Sequence, residues 1–239
     1  MKTILITGAT SGIGKALALH SADKGYRVIA CGRNKEALDE LSRHNNIDSC
    51  QFDVTDLEDA RRALATLTFD IAVLNAGTCE YVDIDSFEPD MFRRVFEPNF
   101  FGVVNCVDAL LPKLKQGDKL VIVDSMARLL PFTKSQAYGA SKAALHYFTK
   151  SLEVDLHHKG VKVQAVSPGF VETPLTDKND FEMPMKISAE EAAEAMLSGI
   201  EKDKQTVFFP RIFGFILRFM HILPTSIQKR LSLSMRKKQ

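Results

Sequence analysis

A tyrosine and a lysine stand four residues apart in the segment SQAYGASKAALHYFTKSL, at Tyr138 and Lys142. On a helix, positions i and i+4 share a face, so the ammonium can lie close to the phenol. A free tyrosine has a pKa of about 10, and a fall of roughly 2–3 would let it exchange protons near neutral pH. One positive charge about 4 Å away, at an effective dielectric of about 20, contributes on the order of 4 kcal/mol, which is enough for that fall. The pair therefore predicts an acid–base residue, and the alternative is a surface tyrosine beside a solvated lysine.

A glycine-rich turn follows the first apolar run, in the stretch TGATSGIGKALAL. Gly8, Gly12 and Gly14 lie between a predicted strand and a predicted helix. Such a turn lets the backbone approach a pyrophosphate, and the free N–H groups at the start of the helix favour its negative charge. The spacing G-x-x-x-G-x-G therefore predicts dinucleotide binding, with a purely steric need for glycine as the alternative.

The end of the second predicted strand indicates which dinucleotide is bound. Folds that prefer NAD usually carry an acidic residue there for the ribose 2′-hydroxyl, whereas an arginine accommodates the 2′-phosphate of NADP. This sequence has Gly32 and then Arg33, whose guanidinium suits a phosphate. The sequence therefore favours NADP(H) over NAD(H), and the alternative is a solvated arginine that opens the next helix.

The order of elements predicts the fold that positions these residues. Short β-branched runs alternate with helical patterns, which implies right-handed crossovers and a parallel sheet with helices on both faces. We predict one α/β domain, a doubly wound Rossmann-like parallel sheet of about seven strands, with ligands at the carboxyl ends of the strands. The predicted strands are Thr3–Thr7, Arg27–Cys31, Ser49–Val54, Ile71–Asn75, Lys119–Asp124, Val161–Ser167 and Thr206–Phe209. The predicted helices are Ile13–Asp23, Lys35–Arg43, Leu57–Leu67, Asp90–Leu114, Ser135–His158 and Ala189–Lys202.

With these motifs in order, residues 1–210 resemble a short-chain dehydrogenase/reductase. Asp53-Val54 resembles the family's adenine contact, Asn75-Ala76-Gly77 its strand-four motif, and PGFVET (168–173) its nicotinamide segment. The family's catalytic tetrad falls on Asn99, Ser125, Tyr138 and Lys142. The cofactor-binding residues that the resemblance implies are Gly8, Thr10, Ser11, Gly12, Ile13, Gly14, Arg33, Asp53, Val54, Asn75, Ala76, Gly77, Tyr138, Lys142, Pro168, Gly169, Val171 and Thr173.

The resemblance also implies a role for each member of the tetrad. Tyr138 protonates the oxygen of a carbonyl while the reduced nicotinamide delivers hydride to its carbon. Ser125 donates a hydrogen bond to the same oxygen. Lys142 lowers the pKa of Tyr138 and holds the ribose hydroxyls. Asn99 helps to hold a water that links Lys142 to solvent.

Two neighbours of the tetrad depart from a simple pattern. Pro98 precedes Asn99 inside a predicted helix, so we expect a kink there, with Glu97 biased away from helical geometry. Asp124 directly precedes Ser125. Strand neighbours point to opposite sides, but an inward Asp124 would raise the pKa of Tyr138.

Charge is unevenly distributed along the 239 residues, although the formal net charge is only +1. Residues 207–239 contain seven Lys and Arg and no Asp or Glu, which leaves −6 on residues 1–206. We predict that residues 211–239 form a basic amphipathic extension whose first helix ends at Pro224. Two interpretations stay open: the extension packs on its own domain or on a partner subunit, or it lies on an anionic membrane surface. The predicted apolar face consists of Ile212, Phe215, Ile216, Phe219, Ile222 and Leu223.

The remaining composition narrows the class of protein. No apolar run approaches the 18 residues expected of a spanning helix, and MKTILITG is too short for a signal peptide. We therefore predict a cytoplasmic protein, peripheral on the membrane if the extension binds lipid. The basic tail alone does not predict nucleic-acid binding. The four cysteines lack C-x-x-C spacing and histidine partners, so we predict free thiols and no metal site at Cys31, Cys50, Cys79 and Cys106.

The substrate is predicted from the residues around the nicotinamide segment. In the family, residues 174–188 form a flap over the substrate, and here the flap contains Phe181, Met183 and Met185. The run 129–132 follows the serine strand and is expected to line the same pocket. These side chains and the tail predict a small-molecule substrate, a carbonyl or alcohol of apolar or lipid-like character. The alternative is that the side chains of the flap and of the run 129–132 only pack the flap against the domain.

Two further expectations concern the whole protein. Family members commonly form dimers or tetramers, so we expect a homodimer or homotetramer through Asp90–Leu114 and the helix of Tyr138. The alternative function is an NADP(H)-binding regulator or scaffold without turnover, although binding alone would not need Ser125.

Overall fold

The computed structural model describes residues 1–177 and 183–235. Its seven strands form one sheet in the order β3-β2-β1-β4-β5-β6-β7, and every neighbouring pair is parallel. The strands are β1 Thr3–Thr7, β2 Arg27–Gly32, β3 Ile47–Gln51, β4 Ile71–Leu74, β5 Lys119–Val123, β6 Lys162–Pro168 and β7 Thr206–Phe209. The helices are α1 Gly12–Asp23, α2 Lys35–Leu41, α3 Leu57–Leu64, α4 Pro89–Phe96, α5 Gly102–Leu110, α6 Gln136–Leu156, α7 Ala189–Glu201, α8 Arg211–His221 and α9 Thr225–Ser234.

The sheet separates two apolar cores. One core joins α1, α2 and α7 to the sheet through residues such as Leu17, Leu38 and Met196. The other joins α3, α5 and α6 to the opposite face through residues such as Leu64 and Leu145. The order of the strands reverses between β1 and β4, and a parallel sheet binds ligands at such a switch point. The predicted doubly wound fold is therefore confirmed.

The predicted helix Asp90–Leu114 is divided where Pro98 removes a backbone donor. A π-helical segment, Glu97–Phe101, joins α4 to α5, and the Gly102 amide donates to the carbonyl of Glu97, five residues back. Glu97 keeps helical angles, with φ −55° and ψ −60°. The expectation that Glu97 leaves helical geometry is therefore wrong, because the helix absorbs the proline by widening one turn.

One strand is shifted from its predicted position. β3 covers Ile47–Gln51 instead of 49–54, because the chain leaves the sheet before Asp53. The Asp53 carboxylate accepts hydrogen bonds from the amide and the hydroxyl of Thr55, at 2.9 and 2.8 Å. The local turn therefore competes with the strand and places Asp53 at the carboxyl edge of the sheet.

The extension after β7 folds back on its own domain. Phe213 and Leu217 of α8 are buried against Met126, Leu129 and Leu130. A Cβ at Gly214 would lie 2.8 Å from Cβ of Phe208, so this glycine permits the close approach. The packed side of α8 is thus not the predicted apolar face, which stays largely exposed. Within the described residues, no helix is long and apolar enough to cross a membrane.

Candidate active site

A cleft of about 1040 Å³ lies along the carboxyl ends of the strands. It brings together nearly all the predicted site residues. Those that line it are Gly8, Thr10, Ser11, Gly12, Ile13, Arg33, Asp53, Val54, Asn75, Ala76, Gly77, Ser125, Tyr138, Lys142, Pro168, Gly169, Val171 and Thr173. Gly14 and Asn99 are not among the lining residues, and each acts on the cleft through a neighbour.

The glycine-rich turn after β1 is held in place by Asn75, which directly follows β4. The Asn75 side chain donates to the carbonyls of Thr7 and Gly8, at 3.1 and 3.4 Å. A Cβ at Gly14 would lie 2.2 Å from the Gly8 oxygen and 2.6 Å from Nδ2 of Asn75. Gly14 is therefore required for the close packing of α1 against this turn. The arrangement leaves the backbone at the start of α1 open to the cleft, as binding of a pyrophosphate requires.

The far end of the cleft carries a cation beside a carboxylate. Nη1 of Arg33 lies 3.3 Å from Oδ2 of Asp53, and 74% of the Arg33 side chain is exposed. Burial alone would raise the pKa of Asp53, but the Thr55 hydrogen bonds and the Arg33 charge outweigh it and hold that pKa below its ordinary value. Lys35, at the start of α2, lines the same end and was not predicted from the sequence. Arg33 and Lys35 therefore place two positive charges at this end of the cleft.

Tyr138 and Ser125 meet in the middle of the cleft. Ser125 follows β5 directly, and its hydroxyl accepts a hydrogen bond from the Ala127 amide at 3.1 Å. It also hydrogen-bonds to the Tyr138 phenol. Burial raises the pKa of Tyr138 above its ordinary value; Cys79 and Asp124 act in the same direction, while the bond to Ser125 opposes them. The phenol therefore keeps its proton at neutral pH.

Lys142 is 4% exposed, and its Nζ lies 6.0 Å from the centre of the Tyr138 ring. The same Nζ donates to the Val123 carbonyl at 2.9 Å. Burial lowers the pKa of Lys142 from 10.5 to about 8, against the opposing charges of Asp124 and Cys79. The protein's own groups thus do not produce the predicted fall in the pKa of Tyr138. Burial raises this pKa by more than the hydrogen bond to Ser125 lowers it.

Asn99 is fully buried in the π-helical segment. Its Oδ1 accepts from the Thr78 amide at 2.7 Å, and its Nδ2 donates to the Thr78 carbonyl at 2.9 Å and to the Ser141 hydroxyl at 3.0 Å. Both amide hydrogens are therefore used. The side chain fixes the backbone after Gly77 beside Lys142, and no donor is left on Nδ2 for a water.

Asp124 is buried behind Ser125 and is held by residues from three elements. Its carboxylate contacts Nε of Arg128 at 3.1 Å and Nδ1 of His146 at 2.6 Å, and it accepts from the Ser167 hydroxyl. The sequence signals only the i, i+4 relation of Asp124 and Arg128. His146 and Ser167 are distant in sequence and were missed. Asp124 raises the pKa of Tyr138, so the suspected effect of this carboxylate is present.

The flap is closed at its base. Val171 forms a β-bridge with Ile187, and Lys186 pairs with Glu172 at 2.8 Å. Met185 is 48% exposed. The predicted flap residue Phe181 lies outside the described residues.

The run 129–132 does not line the cleft. Leu129 and Leu130 are buried under α8, and Phe132 packs against the same cluster. Contrary to expectation, Leu129 and Leu130 do not reach the cleft, because α8 covers them, and Pro131 is exposed elsewhere on the surface.

The four cysteines are free, as predicted, with Cys31 and Cys106 buried and Cys50 and Cys79 partly buried. Cys79 was not predicted as a site residue, yet in its thiolate form it would raise the pKa of both Tyr138 and Lys142. Burial raises the pKa of the Cys79 thiol to about 11. It is therefore a neutral thiol near the phenol at physiological pH.

Comparison with known proteins identifies the family. The family model described as short chain dehydrogenase matches residues 2–183. An uncharacterized oxidoreductase of Myxococcus xanthus (strain DK1622) is 32% identical, covering 95% of this chain and 94% of the relative. The serine 3-dehydrogenase of Rhizobium radiobacter is 38% identical over 73% of this chain and 74% of its own length.

Solved structures have the same architecture. A short chain dehydrogenase from Burkholderia cenocepacia J2315 in complex with NADP superposes with a TM-score of 0.87 at 25% identity, covering 96% of this chain and 97% of that one. A short chain dehydrogenase/reductase from Burkholderia phymatum in complex with NAD has a TM-score of 0.81 at 21% identity and shares the fold over 100% of this chain and 96% of its own. Fold, family model and relatives agree: this chain belongs to the short-chain dehydrogenase/reductase family of oxidoreductases.

Proposed function

We propose that this protein is an NADP(H)-dependent oxidoreductase that interconverts a carbonyl and a secondary alcohol, with Tyr138 as the general acid and base. The observation that carries the proposal is the convergence of Ser125, Tyr138 and buried Lys142 in one cleft, beside a glycine turn that suits a pyrophosphate. A nucleotide-binding scaffold would need the turn and could use Lys142 for the ribose, but it would not need Ser125 beside the Tyr138 phenol.

The residues have distinct roles in this proposal. Tyr138 keeps its proton at neutral pH and donates it to the substrate oxygen in the direction of carbonyl reduction. Ser125 bonds the same oxygen and keeps the phenol oriented. Lys142, with a pKa of about 8, carries a proton in most molecules at pH 7 and is suited to hold ribose hydroxyls and to return a proton to the phenol. The cofactor, when bound, supplies or accepts the hydride.

The preference for NADP(H) rests on charge at the far end of the cleft. Arg33 and Lys35 line that end, and a guanidinium binds a phosphate more strongly than a hydroxyl. Asp53 pairs with Arg33, and 74% of the Arg33 side chain stays exposed to solvent. We expect the 2′-phosphate to compete with Asp53 for this guanidinium.

The substrate is proposed to be an apolar carbonyl compound. The ring of Tyr138 packs against an apolar cluster that includes Val82, Met91 and Phe92. The described part of the flap adds Met185.

A second candidate substrate is a small polar hydroxy compound. Glu80 and Arg94, which pair at 2.9 Å, line the cleft. The similar protein from Rhizobium radiobacter is a serine 3-dehydrogenase. A polar substrate would use these charges rather than the apolar cluster.

We also propose a homo-oligomer through α5 and α6. Tyr147 and Val154 on α6 are 78% and 75% exposed, and Phe101 beside α5 is 49% exposed. Such apolar surface on adjacent helices is typical of a subunit interface. A monomeric mass by light scattering would contradict this part of the proposal.

The deciding experiment follows oxidation of NADPH and of NADH against ketones that run from long-chain apolar to short hydroxylated compounds. We expect turnover with NADPH that rises with chain length, and a loss of at least about 10³-fold in kcat for Tyr138→Phe because general acid catalysis is removed. Tyr147→Phe is the matched control, since Tyr147 is exposed on the same helix. Unchanged kcat in Tyr138→Phe would refute the mechanism. Turnover restricted to hydroxylated compounds would favour the second candidate.

A further inference from the structure

The helix α8 exposes one continuous apolar face. Ile212, Phe215, Phe219 and Ile222 are 69%, 65%, 55% and 75% exposed, and Ile216 is 38% exposed. At about 100° per residue these five positions fall within an arc of about 120°. Exposed apolar area of this size and continuity on one helix indicates an interaction surface.

The helix α9 extends this surface. Ile227, Leu233 and Met235 are 41%, 55% and 47% exposed, and none of the α9 side chains is fully buried. We call the exposed apolar side chains of α8, α9 and the residue that ends each helix, Ile222 and Met235, the apolar platform. The apolar platform lies apart from the cleft, since no residue of α8 or α9 lines the cleft.

The charge around the apolar platform has one sign. No Asp or Glu occurs after Asp203, whereas Arg211, Lys229 and Arg230 are exposed within α8 and α9. The rest of the chain up to residue 206 carries a formal −6. The platform is therefore a basic, apolar region on an otherwise acidic molecule, which is the pattern of a helix that lies on an anionic bilayer.

A basic pocket opens beside the platform. It has a volume of about 630 Å³, and Ile222 of the platform is part of its wall. Its basic side chains are Arg128, His146, Lys204, Arg218 and His221.

Only part of this charge is neutralised. Arg128 and His146 bind the buried Asp124. Arg218 lies 4.7 Å over the Phe208 ring, and His221 bonds through Nδ1 to the Leu129 carbonyl at 2.7 Å. Among the described residues no ion pair involves Lys204 or Arg218, although Nε of Arg218 donates to the Gly214 carbonyl at 3.2 Å. The pocket therefore keeps two cations that suit a phosphate.

We propose that α8 and α9 bind an anionic phospholipid surface, with the apolar platform at the headgroup–acyl boundary and a lipid phosphate in the basic pocket. A second copy of this chain fits less well, because a two-fold contact through the platform would bring Arg211, Arg218, Lys229 and Arg230 of both copies together. An anionic bilayer brings opposite charge instead. This inference does not depend on the proposed catalytic activity.

The first test is flotation of the full chain with vesicles of phosphatidylcholine, alone or mixed with phosphatidylglycerol. We expect binding only to the anionic vesicles. Phe215→Ser/Phe219→Ser should weaken it at least about tenfold, because two aromatic side chains no longer enter the boundary. Ile84→Ser, at a site 68% exposed elsewhere, should have no effect. Equal binding to both vesicle types, binding to neither, or binding unaffected by the double variant would overturn the proposal.

The second test distinguishes binding of a lipid phosphate in the basic pocket from a general attraction of the protein's positive charges to anionic lipid. Lys204→Gln/Arg218→Gln should weaken binding to anionic vesicles by about 25-fold, since each charge near the surface contributes about fivefold. Lys24→Gln/Arg43→Gln removes the same charge beside β2 and β3, at the opposite edge of the sheet, and should change binding less than about twofold. Equal losses in the two variants would refute the pocket.

A third measurement distinguishes a membrane lipid from a free anion and from a second copy. Inorganic phosphate should not displace the protein from vesicles at ionic strength matched with chloride. Displacement by phosphate alone would assign the pocket to a soluble anion. A dimer in solution that dissociates in Phe215→Ser/Phe219→Ser would assign the platform to a second copy. Unchanged NADPH binding in each variant shows that the fold is intact.

Discussion

Replacing Lys142 by methionine should stabilise the protein while removing its activity. Lys142 is 4% exposed, and burial lowers its pKa from 10.5 to about 8. In the unfolded chain the same amine titrates near its ordinary value. At pH 7 the folded protein therefore holds a charge that would be better solvated in the unfolded state. Methionine has a similar length and no charge to desolvate.

The size of the effect follows from the pKa. One pKa unit corresponds to about 1.4 kcal/mol, so a lowering from 10.5 to about 8 corresponds to about 3 kcal/mol. Methionine also loses the hydrogen bond to the Val123 carbonyl, which contributes about 1 kcal/mol. We expect Lys142→Met to raise the free energy of unfolding at pH 7 by about 2 kcal/mol.

The pH dependence provides the sharper test. Between pH 8 and 10.5 the unfolded chain binds more protons at Lys142 than the folded protein does, so the stability of the wild type rises with pH across this window. The advantage of the variant should therefore fall and nearly vanish by about pH 9.5. Tyr138, whose pKa is raised, removes stability only above about pH 10.

Urea unfolding followed by circular dichroism at pH 7 and pH 9.5 measures both effects. Lys150→Met is the matched control: it is on the same helix, with 35% of its side chain exposed, and should change the free energy of unfolding by less than about 0.5 kcal/mol. A Lys142→Met variant that is less stable than the wild type at pH 7, or a gain that does not change with pH, would refute the reasoning.

Three further predictions test the cleft. Arg33→Ala should raise the Kd of NADPH by about tenfold or more and that of NADH by less than about twofold, measured by calorimetry, because only NADPH carries the 2′-phosphate. Gly14→Ala should abolish NADPH binding, since its Cβ would lie 2.2 Å from the Gly8 oxygen. Gly25→Ala, whose Cβ would meet nothing within 4 Å but whose φ of +85° strains an alanine, should lose stability and keep binding, and equal loss of binding in both would contradict the steric argument. Asp124→Asn should shift the pH profile of alcohol oxidation to lower pH, because the carboxylate raises the pKa of Tyr138; an unmoved profile would contradict that coupling.

The fold could be predicted because each element has a local signal. The apolar β-branched runs and the helical periodicity between them predicted all seven strands in the correct order along the chain. Only β3 lies more than one residue from its predicted start. Pro98 was recognised as a disturbance, but its outcome depended on packing. A π-helical turn keeps Asn99 buried against Thr78 and Ser141. Sequence alone does not rank this turn against the expected kink.

The orientation of α8 shows a similar limit. The hydrophobic pattern favours the wide face of Ile212, Phe215 and Phe219 as the packed side. The structure packs the narrower side, because Gly214 allows the helix backbone within contact distance of Phe208. Periodicity measures how apolar a face is, whereas packing depends on how closely the backbones can approach.

The electrostatics of the site depend on residues that no spacing rule connects. The Tyr138–Lys142 pair was recognised from its i, i+4 spacing, and a favourable charge at about 4 Å was expected. The structure instead buries Lys142 and partly buries Tyr138, and desolvation moves both pKa values toward the neutral forms. Asp124 then keeps Lys142 more basic while making Tyr138 less acidic. In the proposed reaction, a neutral phenol beside a lysine whose pKa is about 8 is suited to donate a proton to a carbonyl oxygen.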